Sequence, residues 1–573
     1  MKLSVRPGLK IAFSVVFVMA IFFQTIGHPL SRFDDPFIVE YFGLNSTISW
    51  LDVITPGNSF YYRPLVNLSY WIDFQLWGIE PSFMHLENVL LHLLNVILVF
   101  QITALIPAAS KHRSLPYVAA ILFGLHPINS EPVNWIAGRT DVFAGTFVLL
   151  AVYLLIRALL DHSSRLALMS FVAAFVGMLT KETAIMFIPA AFLVIVYWPD
   201  VYPGTPRFRR LLSPCFLIPV VISSGLVSAL LLLVQIRRPG YTAFSVMIEG
   251  GPRILLRSFE AFGFYARKLF IPLPLNAAIV DVSPLNAIIG IAVLCAVIGA
   301  FRRPGISAVL FAISALFIFP ALFVAATPIA WTPFGERYLY IPSAFTVIAS
   351  LVLLSRILEQ RNKEILFVPI VSAVIVLSAF ATYQRGVLWG DNLAMLEDII
   401  AKSPNFGVAR NEYGILLKMD KRFVEAEKQF CIAAEQKNKK NVDRMIHLNL
   451  IGMKIQGKPI EEVKKILKSE MGTKTAGDVE LLKVINNCNE GILVKATSLD
   501  SKKKIVADMI ETNEILYLKT HDSFYLYRSG QLALSIEDRH TAAVFFKKAY
   551  VNARPDAYYR EPARRLAEKL GAE

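Results

Sequence analysis

Ahead of about residue 385, the chain is a succession of apolar runs of roughly 15–25 residues, the length at which an α-helix crosses a bilayer. In hydrocarbon every backbone amide and carbonyl must find a partner within its own segment, so such runs read as helices. They fall near 9–27, 84–106, 115–127, 141–158, 166–180, 183–198, 213–236, 284–301, 306–326, 338–355 and 365–384. The 573-residue chain is 55% hydrophobic, above the roughly 45–50% of an ordinary soluble domain. Beyond residue 385 the sequence turns charged and water-soluble. The fold expected is all-α: a polytopic bundle of about eleven membrane helices over 1–384, then a soluble helical domain over 385–573.

A formal net charge of +14 does not imply nucleic acid here, because short basic loops set membrane orientation. With the N-terminus taken as cytoplasmic, the cytoplasmic loops hold Lys111 and Arg113, then Arg157 and Arg165, then Arg207, Arg209 and Arg210. Arg302 and Arg303, and finally Arg356, Arg361 and Lys363, continue the series. An odd number of crossings then delivers the tail to the outer side, the periplasm in a bacterium or the lumen in a eukaryote. Lys2, Arg6 and Lys10 before the first apolar run also resemble a secretory signal. No small-x-small cleavage site follows, so an uncleaved first helix is expected. Four cysteines are too few for a disulfide framework. Cys215 and Cys295 read as packing residues, and a bridge between Cys431 and Cys488 stays open.

The unusual residues collect in the outer loops. HPLSRFDDPFIVEY, residues 28–41, sets Asp34 and Asp35 just past the first helix. YYRPLVNLSYWIDFQLWG puts Leu65, Leu68, Ile72 and Leu76 on one helical face among aromatics, the pattern of a helix lying in the membrane interface. HPINSEPVNWIAGRTD, the tight turn LTKET, a long stretch near 237–283 and TPIAWTPFGERYLYIPS complete that face. In the tail, Tyr413-Gly414, Ala426, Phe430 and Ala433 match the small-and-large positions of a tetratricopeptide unit, as do Ser529-Gly530, Ala542, Phe546 and Ala549. Such stacked helix pairs leave a groove for a peptide or partner. The bland reading is a solvated helical domain.

Taken in order, YYRPLVNLSYWIDFQLWG, FMHLENVLLHLLN, LFGLHPINSEPVNWIAGRTD, LTKETA and ERYLYIPSAF resemble the transmembrane-and-tetratricopeptide O-mannosyltransferases and their bacterial relatives, within the GT-C membrane glycosyltransferases. The resemblance implies a sugar donor on a polyprenyl phosphate, transfer to an acceptor hydroxyl of the Ser/Thr kind, and inversion at the anomeric carbon. It implies no required metal and no cofactor, and no His/Cys/Asp cluster has metal-ligand spacing. It names neither the sugar nor the acceptor.

Transfer to a hydroxyl needs a base and something to hold the leaving phosphate. The family's acidic pair implies that Asp34 is the base, with Asp35 orienting the acceptor or sharing the proton. The alternative is that Asp35, before Pro36, simply caps a helix. Arg139, Lys181 and Arg337 are the phosphate candidates. Against that role stands a structural ion pair, for instance with Asp141 or Glu131. Glu336 beside Arg337 and Glu182 beside Lys181 read as paired structural charges. Arg63 orders the first loop, and His126, before Pro127, and Glu131 are each weighed between a site role and a structural one. Arg237, Arg238, Arg253 and Arg257 are less specific cations. His85 and His92 should pack within the bundle. The chain lacks the GxxxxGK[ST] and GxGxxG patterns, which weighs against a nucleotide sugar. Competing readings are a ligase acting on a non-protein glycan, a non-catalytic scaffold, and a transporter; charges gathered at the loops rather than mid-span disfavour the last.

Overall fold

The computed structural model describes residues 7–43, 49–55, 62–198, 243–302, 304–327, 332–436, 440–455, 479–553 and 559–571, with a few isolated positions between. The described residues are helical, apart from an isolated antiparallel bridge between Ile279 and Phe334. The chain divides into two compact units, Met1–Pro404 and Asn405–Glu573.

The first unit is the membrane bundle. Six helices among the described residues are long and apolar enough to cross: Lys10–Gly27, Pro81–Ala104, Ile136–Leu160, Ile306–Ala326, Glu336–Gln360 and Glu364–Trp389. Of the about eleven spans expected, these six have that length and hydropathy among the described residues. Leu115–Gly124, Ser164–Met178, Glu182–Tyr197 and Asn286–Ala300 form where spans are expected but are shorter. Most of the expected span 213–236 lies outside the described residues, as do Arg237 and Arg238. Chain breakers explain the shortening. Gly124 ends one helix just before His126-Pro127, and Thr180-Lys181 ends another.

The helices that build the site are α1 (Pro7–Phe22), α2 (Asp35–Ile38), α3 (Pro64–Trp77), α4 (Pro81–Ala104), α5 (Leu115–Gly124) and α6 (Arg139–Leu160). Then come α7 (Ala243–Phe270), α8 (Asn286–Ala300), α9 (Ile306–Ala326), α10 (Tyr340–Gln360), α11 (Phe367–Trp389) and α12 (Asn392–Lys402). One apolar core joins α1, α4, α5, α6, α9 and α10 through residues such as Phe22, Val96, Phe123, Val148, Ile313 and Phe345. By contrast, α11 is mostly unburied, and Val368, Val376, Leu377 and Phe380 are exposed. Apolar exposure of this kind suits a lipid-facing flank. Cys295 is likewise exposed, on α8, and does not pack in the core.

Two expected loops are not loops. The described part of the stretch near 237–283 begins with α7, kinked at Gly251. This helix meets α8 so closely that a Cβ on Gly263 would lie 1.8 Å from the Asn286 carbonyl oxygen. The second expected outer loop is sunk in the bundle: Ile128, Asn129, Glu131, Val133 and Ile136 are all buried. The first loop does carry a helix, α3, which turns Val66, Tyr70 and Asp73 inward and leaves Ile72 and Leu76 exposed.

Helix α12 belongs to the first unit, so the boundary falls beyond the 384/385 junction drawn from hydropathy. Asp391 caps it by accepting from the Leu393 and Ala394 amides. Lys402 donates to the Leu275 carbonyl at 2.7 Å, and Asn392 donates to the Leu30 carbonyl at 2.9 Å.

In the second unit, Gly407–Met419 pairs with Phe423–Glu435, and Phe524–Ser535 pairs with Arg539–Asn552. Both pairs use one contact: a Cβ on Gly414 would strike the Phe430 ring, and one on Gly530 the Phe546 ring, each at 2.7 Å. Cys431 is a free, exposed thiol, and the side chain of Cys488 lies outside those described.

The α7–α8 crossing yields a stability test. Gly263→Leu should lower the thermal unfolding temperature in detergent, by overpacking that costs about 1–3 kcal/mol or more. A leucine at Gly299, where nothing lies within 4 Å, should leave it unchanged.

Candidate functional site

The site is fixed by one side chain. Arg139, at the start of α6, is 1% exposed. Its guanidinium donates to Asp73 at 2.5 Å, Ser69 at 3.1 Å, Asn88 at 3.1 Å and the Met84 carbonyl at 3.1 Å. Glu87 lies 3.1 Å away, and the Tyr70 ring stacks below at 4.7 Å. A guanidinium spent in this way has no face left for a donor phosphate. The expected phosphate role of Arg139 is therefore corrected: it ties α3 and α4 to α6.

Lys181 is also spent. It is buried, its Nζ is 2.5 Å from Asp141, and it lies over the Tyr338 ring. Of the two roles weighed for it, the geometry gives the ion pair. The two carboxylates expected to pair with their chain neighbours choose others. Glu182 takes both ends of Arg63, at 2.6 and 3.1 Å. Glu336, buried, takes Lys268 at 2.5 Å and the Asn276 amide at 3.2 Å. Adjacent side chains leave a short helical turn in different directions, so sequence neighbours are poor partners.

Arg337 pairs with Glu131 at 2.8 Å, and its own amide donates to the other oxygen of Glu131 at 3.0 Å. The guanidinium lies against the Trp135 and Tyr338 rings and keeps 15% exposure. His126 is structural: Nδ1 accepts from the Ile128 amide and Nε2 is 3.1 Å from the Leu269 carbonyl. His92 bonds Tyr340 and the Gly124 carbonyl, and His85 packs edge-on to His28. Among the less specific cations, Arg257 pairs with Glu260 and Asp281.

The acidic pair divides. Asp34 occupies the N-cap position of α2, with no side-chain cap bond, and Asp35 is the first helical residue. Capping by Asp35 is thus corrected. Asp35 is fully buried, with one oxygen accepting from the Ser31 amide at 2.8 Å and the other from the Ala137 amide at 3.2 Å. Burial pushes its carboxyl up to about 7, those two amides oppose the rise, and the neighbouring Asp34 adds to it. Asp34 is open to solvent. The surrounding protein still strips part of its hydration and raises its pKa, while the positive charges of Arg337 and Arg63 pull it back.

The geometry therefore collects the exposed carboxylate of Asp34 and two partly exposed, ion-paired cations, Arg337 with Glu131 and Arg63 with the exposed Glu182, beside a set of buried ion pairs. No group of three or more His, Cys, Asp or Glu that could hold a metal occurs among the described residues. Sequence reasoning missed Asp73 and Lys268. Asp73 was findable, since Val66, Tyr70 and Asp73 share one helical face. Lys268 was hidden in a stretch taken for loop.

The class so defined is an all-helical membrane protein with an acidic first loop on a charged, buried floor. Residues 64–207 match the family model described as dolichyl-phosphate-mannose-protein mannosyltransferase. Protein O-mannosyl-transferase TMTC1 of Mus musculus is 38% identical over 135 residues, covering 22% of this chain and 14% of its own length. The Homo sapiens TMTC1 is 42% identical over 90 residues, 16% and 10% of the two chains. The Homo sapiens TMTC2 is 35% identical over 108 residues, 18% and 12%. The matches thus span 10–14% of these relatives' length. Over these stretches the chain is similar to the protein O-mannosyltransferases.

The Arg139 pair makes a sharp prediction. Arg139→Met leaves Asp73 charged and buried, which should cost about 3–5 kcal/mol in thermal or denaturant unfolding. Arg139→Lys should recover little, because an ammonium cannot reproduce the planar fork.

Proposed function

We propose that the membrane unit is a glycosyltransferase that moves a sugar from a polyprenyl-phosphate donor to the hydroxyl of a protein Ser or Thr. The observation that carries this reading is the open carboxylate of Asp34 under the charges of Arg337 and Arg63. Asp34 takes the acceptor proton as the hydroxyl oxygen attacks the anomeric carbon. The bond from that carbon to the phosphate oxygen breaks on the opposite face, inverting the centre, and the phosphate leaves with the electron pair. Arg337 stabilises the negative charge gathering on the phosphate, and Arg63, held by Glu182, orders the loop beside it. Asp35 positions the loop through its two amide bonds and touches neither reactant. No cofactor enters the scheme.

The reaction is assigned to the outer face. Lys111 and Glu359 pair at 3.1 Å, which joins the loops at the far end of α4 and α10. Arg113, Arg157, Arg356, Arg361 and Lys363 belong to that same basic end, the cytoplasmic one by the charge rule. The site then faces the periplasm, or the lumen in a eukaryote, and the 405–573 unit follows on that side. The helix pairs of the tail fit a tetratricopeptide-like groove for the acceptor or a partner.

The test is transfer from a mannosyl polyprenyl phosphate to Ser/Thr peptides by the purified chain. Asp34→Asn should cut kcat by about 10²–10⁴-fold, the range of a general base, with thermal stability unchanged. Asp35→Asn should lower stability as well as rate. Activity retained in Asp34→Asn, or product found on a glycolipid instead of the peptide, would sink the reading.

A pH profile follows from the same charges. The base acts ionised, and burial raises Asp34 from the ordinary 3.8, so the rate should rise with pH through a limb above that value. Arg337 favours the ionised form. Arg337→Gln should therefore move the limb to higher pH and weaken donor binding together.

A further inference from the structure

The two ends of α12 carry side chains that act alike on opposite sides of the site. At its start, Asn392 donates its side-chain amide to the Leu30 carbonyl at 2.9 Å. The N–H of that same peptide unit belongs to Ser31 and donates to Asp35 at 2.8 Å. At its end, Lys402 donates to the Leu275 carbonyl at 2.7 Å. The N–H of that peptide unit belongs to Asn276 and donates to Glu336 at 3.2 Å. A peptide unit is planar and stiff, so holding its oxygen fixes where its N–H points. Asp35 adjoins Asp34, and Glu336 adjoins Arg337. One helix thus steadies, through two peptide units, the chain neighbours of the carboxylate and of the guanidinium.

Between these ends the helix is a docked rod. Its 11 residues span about 15 Å, and Met395, Leu396 and Ile399 are buried. Asp398 gives one oxygen to Arg385 of α11 at 2.7 Å and the other to Lys402 at 2.5 Å. That carboxylate pins the rod and steers the ammonium toward Leu275. Just beyond, the Ser403 hydroxyl donates to the Ala278 carbonyl at 2.6 Å and accepts from the Asn276 side chain at 3.0 Å. At the other end, a Cβ on Gly390 would lie 3.1 Å from the His28 ring, so the chain enters close against the acidic loop. Apolar burial would dock such a helix without either terminal bond; the paired bonds fix its register against both segments.

We propose that α12 is a strap that sets the spacing between Asp34 and Arg337, with Asn392 and Lys402 as positioning residues. Each acts through a peptide unit and touches neither reactant. Hydrogen bonds in a chain polarise one another, so the bond on the carbonyl side strengthens the bond on the amide side. Asn392 serves the base, and Lys402 serves the cation that faces the phosphate. The consequence for catalysis rests on the function proposed above; the strap itself does not.

The test is hydrogen–deuterium exchange of the full-length chain in nanodiscs, read by mass spectrometry, beside transfer kinetics from a mannosyl polyprenyl phosphate. Asn392→Leu keeps the bulk and removes the donor. It should speed exchange severalfold within residues 30–38 and leave residues 271–278 as they are. Lys402→Met should do the opposite, and Lys402→Arg, which keeps a donor, should restore native exchange. In the kinetics, Asn392→Leu should lower kcat severalfold at unchanged donor KM, whereas Lys402→Met should raise the donor KM. Exchange unchanged at both ends, or raised alike throughout the membrane unit, would overturn the proposal, as would one and the same kinetic change in both variants. Local release at each end in a chain that transfers no sugar would uphold the strap and remove the proposed function. Transfer by the native chain with neither segment released in the variants would do the reverse.

Discussion

The ion pair between Arg139 and Asp73, 2.5 Å apart and almost wholly removed from solvent, is the contact on which the rest of the membrane unit depends. A buried pair is stabilising only when its remaining donors and acceptors are also answered, since each ion gives up its hydration. Here Ser69, Asn88 and the Met84 carbonyl answer them. The result fastens the first loop's helix and α4 to the beginning of α6. Ala137, two residues earlier, is thereby held where its amide can bind Asp35. The chain from Arg139 to the acidic pair is continuous and short.

That frame explains why two adjacent carboxylates behave differently. Asp35 gives both oxygens to backbone amides and is sealed off. Asp34, one residue earlier, keeps its carboxylate in an open but protein-lined position. A like-charge pair usually leaves one member protonated, and burial decides which. Burial raises both carboxyls, Asp35 up to about 7 with the charge of Asp34 adding to the rise, while Arg337 and Arg63 oppose the rise at Asp34. The same economy runs through the floor of the site. Lys181 with Asp141, Lys268 with Glu336 and Arg337 with Glu131 each join segments far apart in the chain.

Helix α11 belongs to the same logic of sorting by environment. Apolar side chains stand where it meets lipid, and charge gathers where the chain turns at the bundle's end.

How much of this was legible in the sequence follows from the range of each interaction. Hydropathy and helical periodicity are local, so the membrane class, the helix positions at 81–104, 306–326 and 367–389, and the interface helix at 64–77 could be read directly. Repeated Gly-and-Phe spacing likewise announced the helix pairs of the tail. The helix ends could not, because the helices at 115–124 and 164–178 stop at points that only packing decides. Nor could ion-pair partners be read: Arg139 finds Asp73 across 66 residues and Lys268 finds Glu336 across 68. The motifs by themselves determined which residues carry charge near the site. Tertiary structure alone decided which of those charges are consumed in holding the bundle and which remain open, because burial and distance between remote segments set whether a charge is neutralised or free to act.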